Sequence, residues 1–132
     1  EQFRFGAMNH GQSPWLLELI AGMIEEGENP QEVVKREAYE EAGLVIDACQ
    51  FMLSYFVSPG GTTETLDLFI ANVDSRNVKG IFGLAEESED IKVHVVPREQ
   101  AYQWVKTGKI NNAVTIIGLQ WLELNRKEGL SL

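Results

Sequence analysis

The sequence has few of the residues on which several classes of protein depend. It contains one cysteine, Cys49, and two histidines, His10 and His94. A lone cysteine excludes an internal disulfide and a cysteine metal cluster, and the two histidines show no ligand spacing. No apolar run has the length of a membrane-spanning helix. We therefore expect a cytoplasmic protein.

Positive charge is also scarce. Eleven lysines and arginines face 20 acidic residues, and the net charge is −9. This balance disfavours binding to nucleic acid or to an anionic membrane. It also means that a phosphate-bearing substrate would need cations from elsewhere, and bound metal is the plausible source. The chain has 132 residues, of which 44% are hydrophobic, so residues 1–132 are expected to form one domain with a core.

The segment 22–44 carries the strongest local signals. Asn29 is a favoured N-cap, Pro30 suits the first helical position, and Gly43 is a typical stop, which predicts a helix over 30–42. Glu32 stands three residues after Asn29, where a capping box is possible. The residues expected to form the buried stripe of this helix recur every fourth position: Val34, Ala38 and Ala42.

The same helix carries closely spaced carboxylates. Glu37 and Glu41 lie one turn apart on one face, and Glu40 flanks it. Like charges at this spacing each cost about 0.2–0.5 kcal/mol. Arg36 can pair with Glu32 or Glu40 but cannot neutralise all of the acids. One interpretation is a solvated acidic face; the other is a site for a hard divalent cation such as Mg²⁺, which prefers oxygen ligands.

The remaining pattern predicts an α+β protein with a mixed sheet flanked by helices. Strands are expected at 1–6, 15–20, 49–57, 64–73 and 91–96, a short helix at 98–106, and a final helix from Asn111 or Asn112 to about Arg126, with Val114, Ile117, Trp121 and Leu124 on its apolar side. A turn with Ser58, Pro59, Gly60 and Gly61 separates two strands. A long polar loop over 74–90 ends in the acidic run 86–90, which alone would be read as solvated surface, although a loop of this length is often functional.

Gly22, Glu28 and the run 36–44 match the Nudix box at its fixed positions, and on these residues the chain is identified as a member of the Nudix hydrolase family. The segments 1–4, 14–22, 58–62, 84–91 and 93–105 further resemble the bacterial ADP-ribose pyrophosphatases, and Pro59 stands where that subfamily has a marker proline. The resemblance implies an α/β/α sandwich. It also implies hydrolysis of ADP-ribose to AMP and ribose 5-phosphate with Mg²⁺ or Mn²⁺.

The resemblance also implies roles for individual residues. Metal ligands map to the main-chain carbonyl of Ala21 and to Glu37, Glu40, Glu41 and Glu89, and the base that activates water maps to Glu87. Structural positions of the box map to Gly22, Glu28, Arg36 and Gly43, with Glu28 and Arg36 expected to pair. Substrate-contacting positions map to Arg4, Ser58, Gly60, Gly61 and Glu64.

Several alternatives stay open. The enzyme could cleave another nucleotide sugar such as GDP-mannose, the fold could be a catalytically silent binding module, and an acidic Ca²⁺-binding domain is a further alternative that lacks the EF-hand pattern. Glu87 and Glu89 could exchange roles. The resembling subfamily also has an N-terminal region, preceding the position of Glu1, that forms its dimer and part of its adenine pocket. A homodimer is therefore expected of the longer protein, and adenosine recognition is expected to need that region as well.

Overall fold

A computed structural model describes residues 1–78, 80–83 and 90–125. In chain order the elements are strand β1 (Gln2–Phe3), a 3₁₀ helix (Phe5–His10), strand β2 (Trp15–Leu16), helix α1 (Pro30–Ala42), strands β3 (Cys49–Phe56), β4 (Thr65–Ala71), β5 (Ile81–Phe82) and β6 (Ile91–Lys92), and helices α2 (Arg98–Lys106) and α3 (Ala113–Leu124). The predicted α+β class is confirmed.

Helix α1 begins and ends at the predicted residues. The Asn29 side chain accepts a hydrogen bond from the N–H of Gln31 at 2.9 Å, which satisfies one of the open donors of the first turn. At the other end Gly43 takes the left-handed conformation, with φ 63°, and its N–H donates to Tyr39. One residue of the predicted stripe was wrong: Val33 is buried, whereas Val34 is only half-buried.

The described strands pair in three antiparallel two-stranded sheets, β1–β2, β3–β4 and β5–β6. The β3–β4 hairpin is the long one, and its register runs from Cys49 opposite Ala71 to Phe56 opposite Thr65. The strands expected at 1–6, 15–20 and 91–96 are each only two residues long, because few of their residues find a partner strand. Their short paired parts nevertheless connect distant segments, since the N–H of Lys92 donates to the carbonyl of Glu1 at 3.0 Å.

Helix α3 supports the segment that leads into the box. The Asn112 side chain caps the helix at Thr115 and also donates to the carbonyl of Leu17 at 2.7 Å. The buried Thr115 hydroxyl accepts the N–H of Leu19 at 3.2 Å. A Cβ on Gly118 would lie 2.8 Å from a methyl carbon of Leu19, so a larger residue here would require that methyl group to shift.

The cap and the apolar side of α3 differ in part from the prediction. Asn112, not Asn111, is the cap of α3, and Leu124 was wrongly assigned to its apolar side, since Leu124 is 81% exposed. Across the parts of the chain that the structure describes, no helix combines the length and the apolar character that crossing a membrane requires.

Candidate active site

The segment held by α3 delivers Ala21 directly to the carboxylate of Glu41. The Ala21 N–H donates to Glu41 Oε2 at 3.1 Å, and Glu41 is only 6% exposed. The interpretation of the acids as a solvated face is therefore wrong at this residue. A buried carboxylate is costly unless it is hydrogen-bonded, so the Ala21 contact compensates part of the cost of burying Glu41. Residues 21 and 41, both predicted metal ligands, lie side by side.

Gly22 lies against the other end of the same helix face. A Cβ on Gly22 would overlap the carboxyl group of Glu37, so the space beside the glycine is filled by that carboxyl. The Glu37 side chain is 13% exposed. Two consecutive residues, Ala21 and Gly22, thus contact the two glutamates that stand one turn apart on α1.

Arg36 occupies the centre of a cluster of acids. Its Nη1 lies 2.8 Å from Glu37 Oε1 and 3.2 Å from Glu40 Oε2, and its Nη2 lies 3.9 Å from Glu28 Oε2. The predicted pairing with Glu40 is present. The alternative pairing with Glu32 is not, because Glu32 pairs with Lys35 at 3.0 Å.

The acids around Arg36 also raise its pKa. Burial is the largest single influence and lowers the pKa of Arg36, but the carboxylates of Glu37, Glu40 and Glu28 together outweigh it, so the pKa is raised above its ordinary value. Arginine is a cation in proteins even without this shift, so the acids only strengthen that state. It supplies one positive charge to three carboxylates.

Gly43 and Gly83 connect the end of α1 to the acidic loop. A Cβ on Gly43 would lie 2.8 Å from the Phe82 ring, so this glycine is needed both for its positive φ and for close packing. The N–H of Gly83 donates to the carbonyl of Glu40 at 3.3 Å. The described chain thus reaches the carboxylate-bearing helix at Gly83. The predicted base Glu87 and ligand Glu89 lie outside the described residues.

Arg4 forms an ion pair that sequence reasoning missed. Its Nε and Nη2 donate to the Glu18 carboxylate at 3.0 and 2.7 Å, a two-point contact of the kind that fixes a guanidinium in place. Glu18 is 17% exposed. The signal available in the sequence was a pair of opposite charges on adjoining predicted strands.

The predicted substrate loop lies in the β3–β4 turn. The carbonyl of Ser58 accepts the N–H groups of Gly61 and Thr62, both at 2.9 Å, and the carbonyl of Glu64 accepts the N–H of Val57 at 3.0 Å. Ser58, Gly60, Gly61 and Glu64 are all exposed. These hydrogen bonds lie within the hairpin, so they account for the shape of the turn and do not connect it to α1.

The donor set of α1 fits a divalent cation chemically. Carboxylate and carbonyl oxygens are the ligands that Mg²⁺ prefers, and the glycine at position 22 leaves room for the Glu37 carboxyl where any side chain would fill the space. Within residues 1–78, 80–83 and 90–125, however, no group of three acids, histidines or cysteines is already arranged to hold an ion. The Arg36 guanidinium lies between the carboxylates instead.

The chain belongs to the Nudix family, since a sequence profile of the NUDIX domain matches residues 3–116. Among characterised relatives, the ADP-ribose pyrophosphatase of Haemophilus influenzae is 59% identical over 128 residues, which cover 95% of this chain and 59% of that protein. The ADP-ribose pyrophosphatase of Escherichia coli K12 is 54% identical over 127 residues, covering 96% and 61%. A GDP-mannose pyrophosphatase of Shigella flexneri is 34% identical over 125 residues, covering 94% and 64%. The chain spans about three fifths of the length of these relatives.

Proposed function

We propose that this chain carries the catalytic site of a metal-dependent hydrolase that splits ADP-ribose into AMP and ribose 5-phosphate. The observation that carries the proposal is the placement of Ala21 and Gly22 against Glu41 and Glu37, which brings the box residues of two separate segments together. The names and identities of the ADP-ribose pyrophosphatases support the substrate.

The metal-holding residues in this proposal are Glu37, Glu40 and Glu41 on α1, the carbonyl of Ala21, and Glu89 from the loop. When held by these residues, Mg²⁺ or Mn²⁺ would supply positive charge to a diphosphate substrate and would lower the pKa of a water molecule. The carboxylates of α1 hold the site on a rigid element, because α1 is capped at both ends and packed through Ala38 and Ala42. Gly22, Glu28, Arg36 and Gly43 fix the box itself.

Glu87 is proposed as the base that takes the proton of the attacking water. The contact between Gly83 and Glu40 supports this role, because the described chain approaches α1 four residues before Glu87. Arg4, oriented by Glu18, is proposed to contact a phosphate of the substrate. Ser58, Gly60, Gly61 and Glu64 are proposed as a second, exposed substrate contact.

The substrate is tested by comparing kcat/KM for ADP-ribose and GDP-mannose in Mg²⁺ buffer, with products separated by ion-exchange chromatography. We expect AMP and ribose 5-phosphate from ADP-ribose, and a kcat/KM at least about tenfold higher than for GDP-mannose. Equal or reversed preference would contradict the ADP-ribose assignment and favour the more distant relative's substrate. Binding of ADP-ribose without turnover at saturating Mg²⁺ would indicate a silent binding module.

We also propose that the protein is cytoplasmic and that the longer protein forms a homodimer. The single cysteine, half-buried Cys49, suits a reducing compartment. Exposed apolar side chains around β1 and β2 support an interface there. Phe5 is 72% exposed, and Phe3 and Trp15, whose rings contact each other, are each 43% exposed. Light scattering that gives the mass of a monomer for the longer protein at high concentration would contradict the dimer.

A further inference from the structure

We propose that Arg36 is an internal counter-ion of the carboxylate cluster, which a divalent metal must displace, and that Glu28 receives the guanidinium when it leaves. The two short contacts of Arg36, at 2.8 and 3.2 Å, go to Glu37 and Glu40 on the helix. Its contact with Glu28, in the loop before the helix, is long at 3.9 Å. The inference rests on the metal site proposed above and adds a competitor within that site.

Arg36 and a metal ion cannot share Glu37 without cost. A metal bound to a carboxylate oxygen lies about 2.1 Å from it, and Arg36 Nη1 lies 2.8 Å from Glu37 Oε1. A metal ion and a guanidinium bound to the same carboxylate lie within a few ångströms of each other, and two positive charges that close repel each other. The guanidinium cannot relieve the repulsion by losing a proton, since arginine stays protonated in proteins. Movement of the guanidinium away from Glu37 would relieve the repulsion.

The loop before the helix offers a fixed place for the displaced guanidinium. Glu28 Oε2 accepts the N–H of Glu25 at 2.8 Å, so the backbone holds that carboxylate beside Arg36. Bringing Nη2 about 1 Å closer would turn the 3.9 Å contact into an ordinary charge-assisted hydrogen bond. When the Arg36 guanidinium moves from Glu37 and Glu40 to Glu28, it keeps a carboxylate partner. The oxygens of Glu37 and Glu40 then become available to a metal ion.

The first test measures Mn²⁺ binding alone, by the electron paramagnetic resonance signal of free Mn²⁺, with no substrate present. Arg36→Gln removes the competitor and is expected to bind Mn²⁺ about tenfold more tightly than the unaltered chain. Lys35→Gln is the matched control. Lys35 is the neighbouring residue and carries the same charge, but it pairs with Glu32 and not with the carboxylates that Arg36 contacts. Unchanged or weaker binding by Arg36→Gln would overturn the inference, as would equal tightening in both variants.

The second test addresses the receiving carboxylate. As a single substitution, Glu28→Gln is expected to weaken Mn²⁺ binding about fivefold relative to the unaltered chain, because the displaced guanidinium loses its charged partner. In the Arg36→Gln background the same change is expected to have no effect, since there is no guanidinium to receive. A residue that only braces the loop would weaken binding equally in both backgrounds, and that result would overturn the exchange.

A third measurement uses the unaltered protein and does not depend on any variant folding. The side-chain nitrogen signal of Arg36 is followed by nuclear magnetic resonance during a Mg²⁺ titration, and we expect a saturable shift. An unmoved signal at saturating Mg²⁺ would overturn the inference. A chain that binds neither Mn²⁺ nor Mg²⁺ would contradict the proposed metal site itself, whereas metal binding unaffected by Arg36→Gln contradicts only the counter-ion role.

Discussion

The buried carboxylate of Glu41 accepts a hydrogen bond from the main-chain N–H of Ala21, with 3.1 Å between the nitrogen and Oε2. The two residues are 20 positions apart in the chain, and the bond places the loop before the box on the helix that follows it. The contact connects folding and proposed catalysis, because the same carboxylate is a proposed metal ligand.

The variant Glu41→Gln separates these two contributions. The amide oxygen can still accept the Ala21 N–H, so we expect the melting temperature to change little. Loss of a charged metal ligand is expected to lower the rate of AMP release at least about 100-fold. Mutating a residue that only supports a metal ligand already costs roughly 10–100-fold, and a ligand itself should cost at least as much. Glu26→Gln removes the same charge from an exposed loop position and should retain full activity. Activity of Glu41→Gln equal to the unaltered chain would refute the metal site as described.

Gly22→Ala tests the contact with Glu37. The added Cβ would overlap the Glu37 carboxyl, so that carboxyl must shift. Because it is the far end of a flexible side chain, we expect the free energy of unfolding to fall by no more than about 1 kcal/mol. We expect reduced turnover as well, since the displaced carboxyl is a proposed ligand. Gly6→Ala is the matched control, because a Cβ there meets nothing within 4 Å. Equal stability and turnover for the two variants, measured by urea denaturation and AMP release, would show that the Gly22 contact is unimportant.

Glu18→Gln tests the positioning of Arg4. A neutral amide cannot hold the guanidinium by two charge-assisted bonds, so we expect KM for ADP-ribose to rise roughly tenfold with kcat nearly unchanged. Asp74→Asn breaks a similar two-point pair with Arg76 on the exposed surface and should leave KM unaltered. A fall in kcat with constant KM would assign Glu18 to the chemical step and contradict a role in substrate binding.

The loop glutamates are distinguished by separate readouts. Glu87→Gln should lower kcat about 10²–10⁴-fold, the usual contribution of a general base, while Mn²⁺ affinity is retained. Glu89→Gln should weaken Mn²⁺ binding, measured without substrate. The opposite pattern would mean that the two residues exchange roles.

Local signals predicted helix α1 almost to the residue, because its caps, Asn29 and Gly43, act within one turn. The lengths of β2 and β6 could not be predicted in the same way. A strand ends where its partner strand ends, and the local sequence pattern does not show where the partner lies. The two strands of the β3–β4 hairpin were predicted to within two residues at each end, because the turn residues of 57–64 mark where β3 ends and β4 begins.

The burial of Glu41 and the Arg4–Glu18 pair were missed for a common reason. A glutamate on a helix is normally placed on the surface, and only a donor from a distant segment, here Ala21, makes its burial tolerable. Arg36 illustrates the same limit: spacing along the helix predicted Glu40, but the 2.8 Å contact with the adjacent Glu37 depends on the side-chain conformation. Residue type indicated the chemistry of the site, and long-range contacts determine its geometry.

The most direct test of the proposed activity is release of AMP from ADP-ribose by the 132-residue chain, with Mg²⁺ and after its removal with EDTA. We predict AMP and ribose 5-phosphate in equal amounts with Mg²⁺, almost none with EDTA, and recovery when Mg²⁺ is restored. Release that is unaffected by EDTA would contradict metal-dependent catalysis by α1, and no release at saturating Mg²⁺ would contradict the claim that these residues suffice for the reaction.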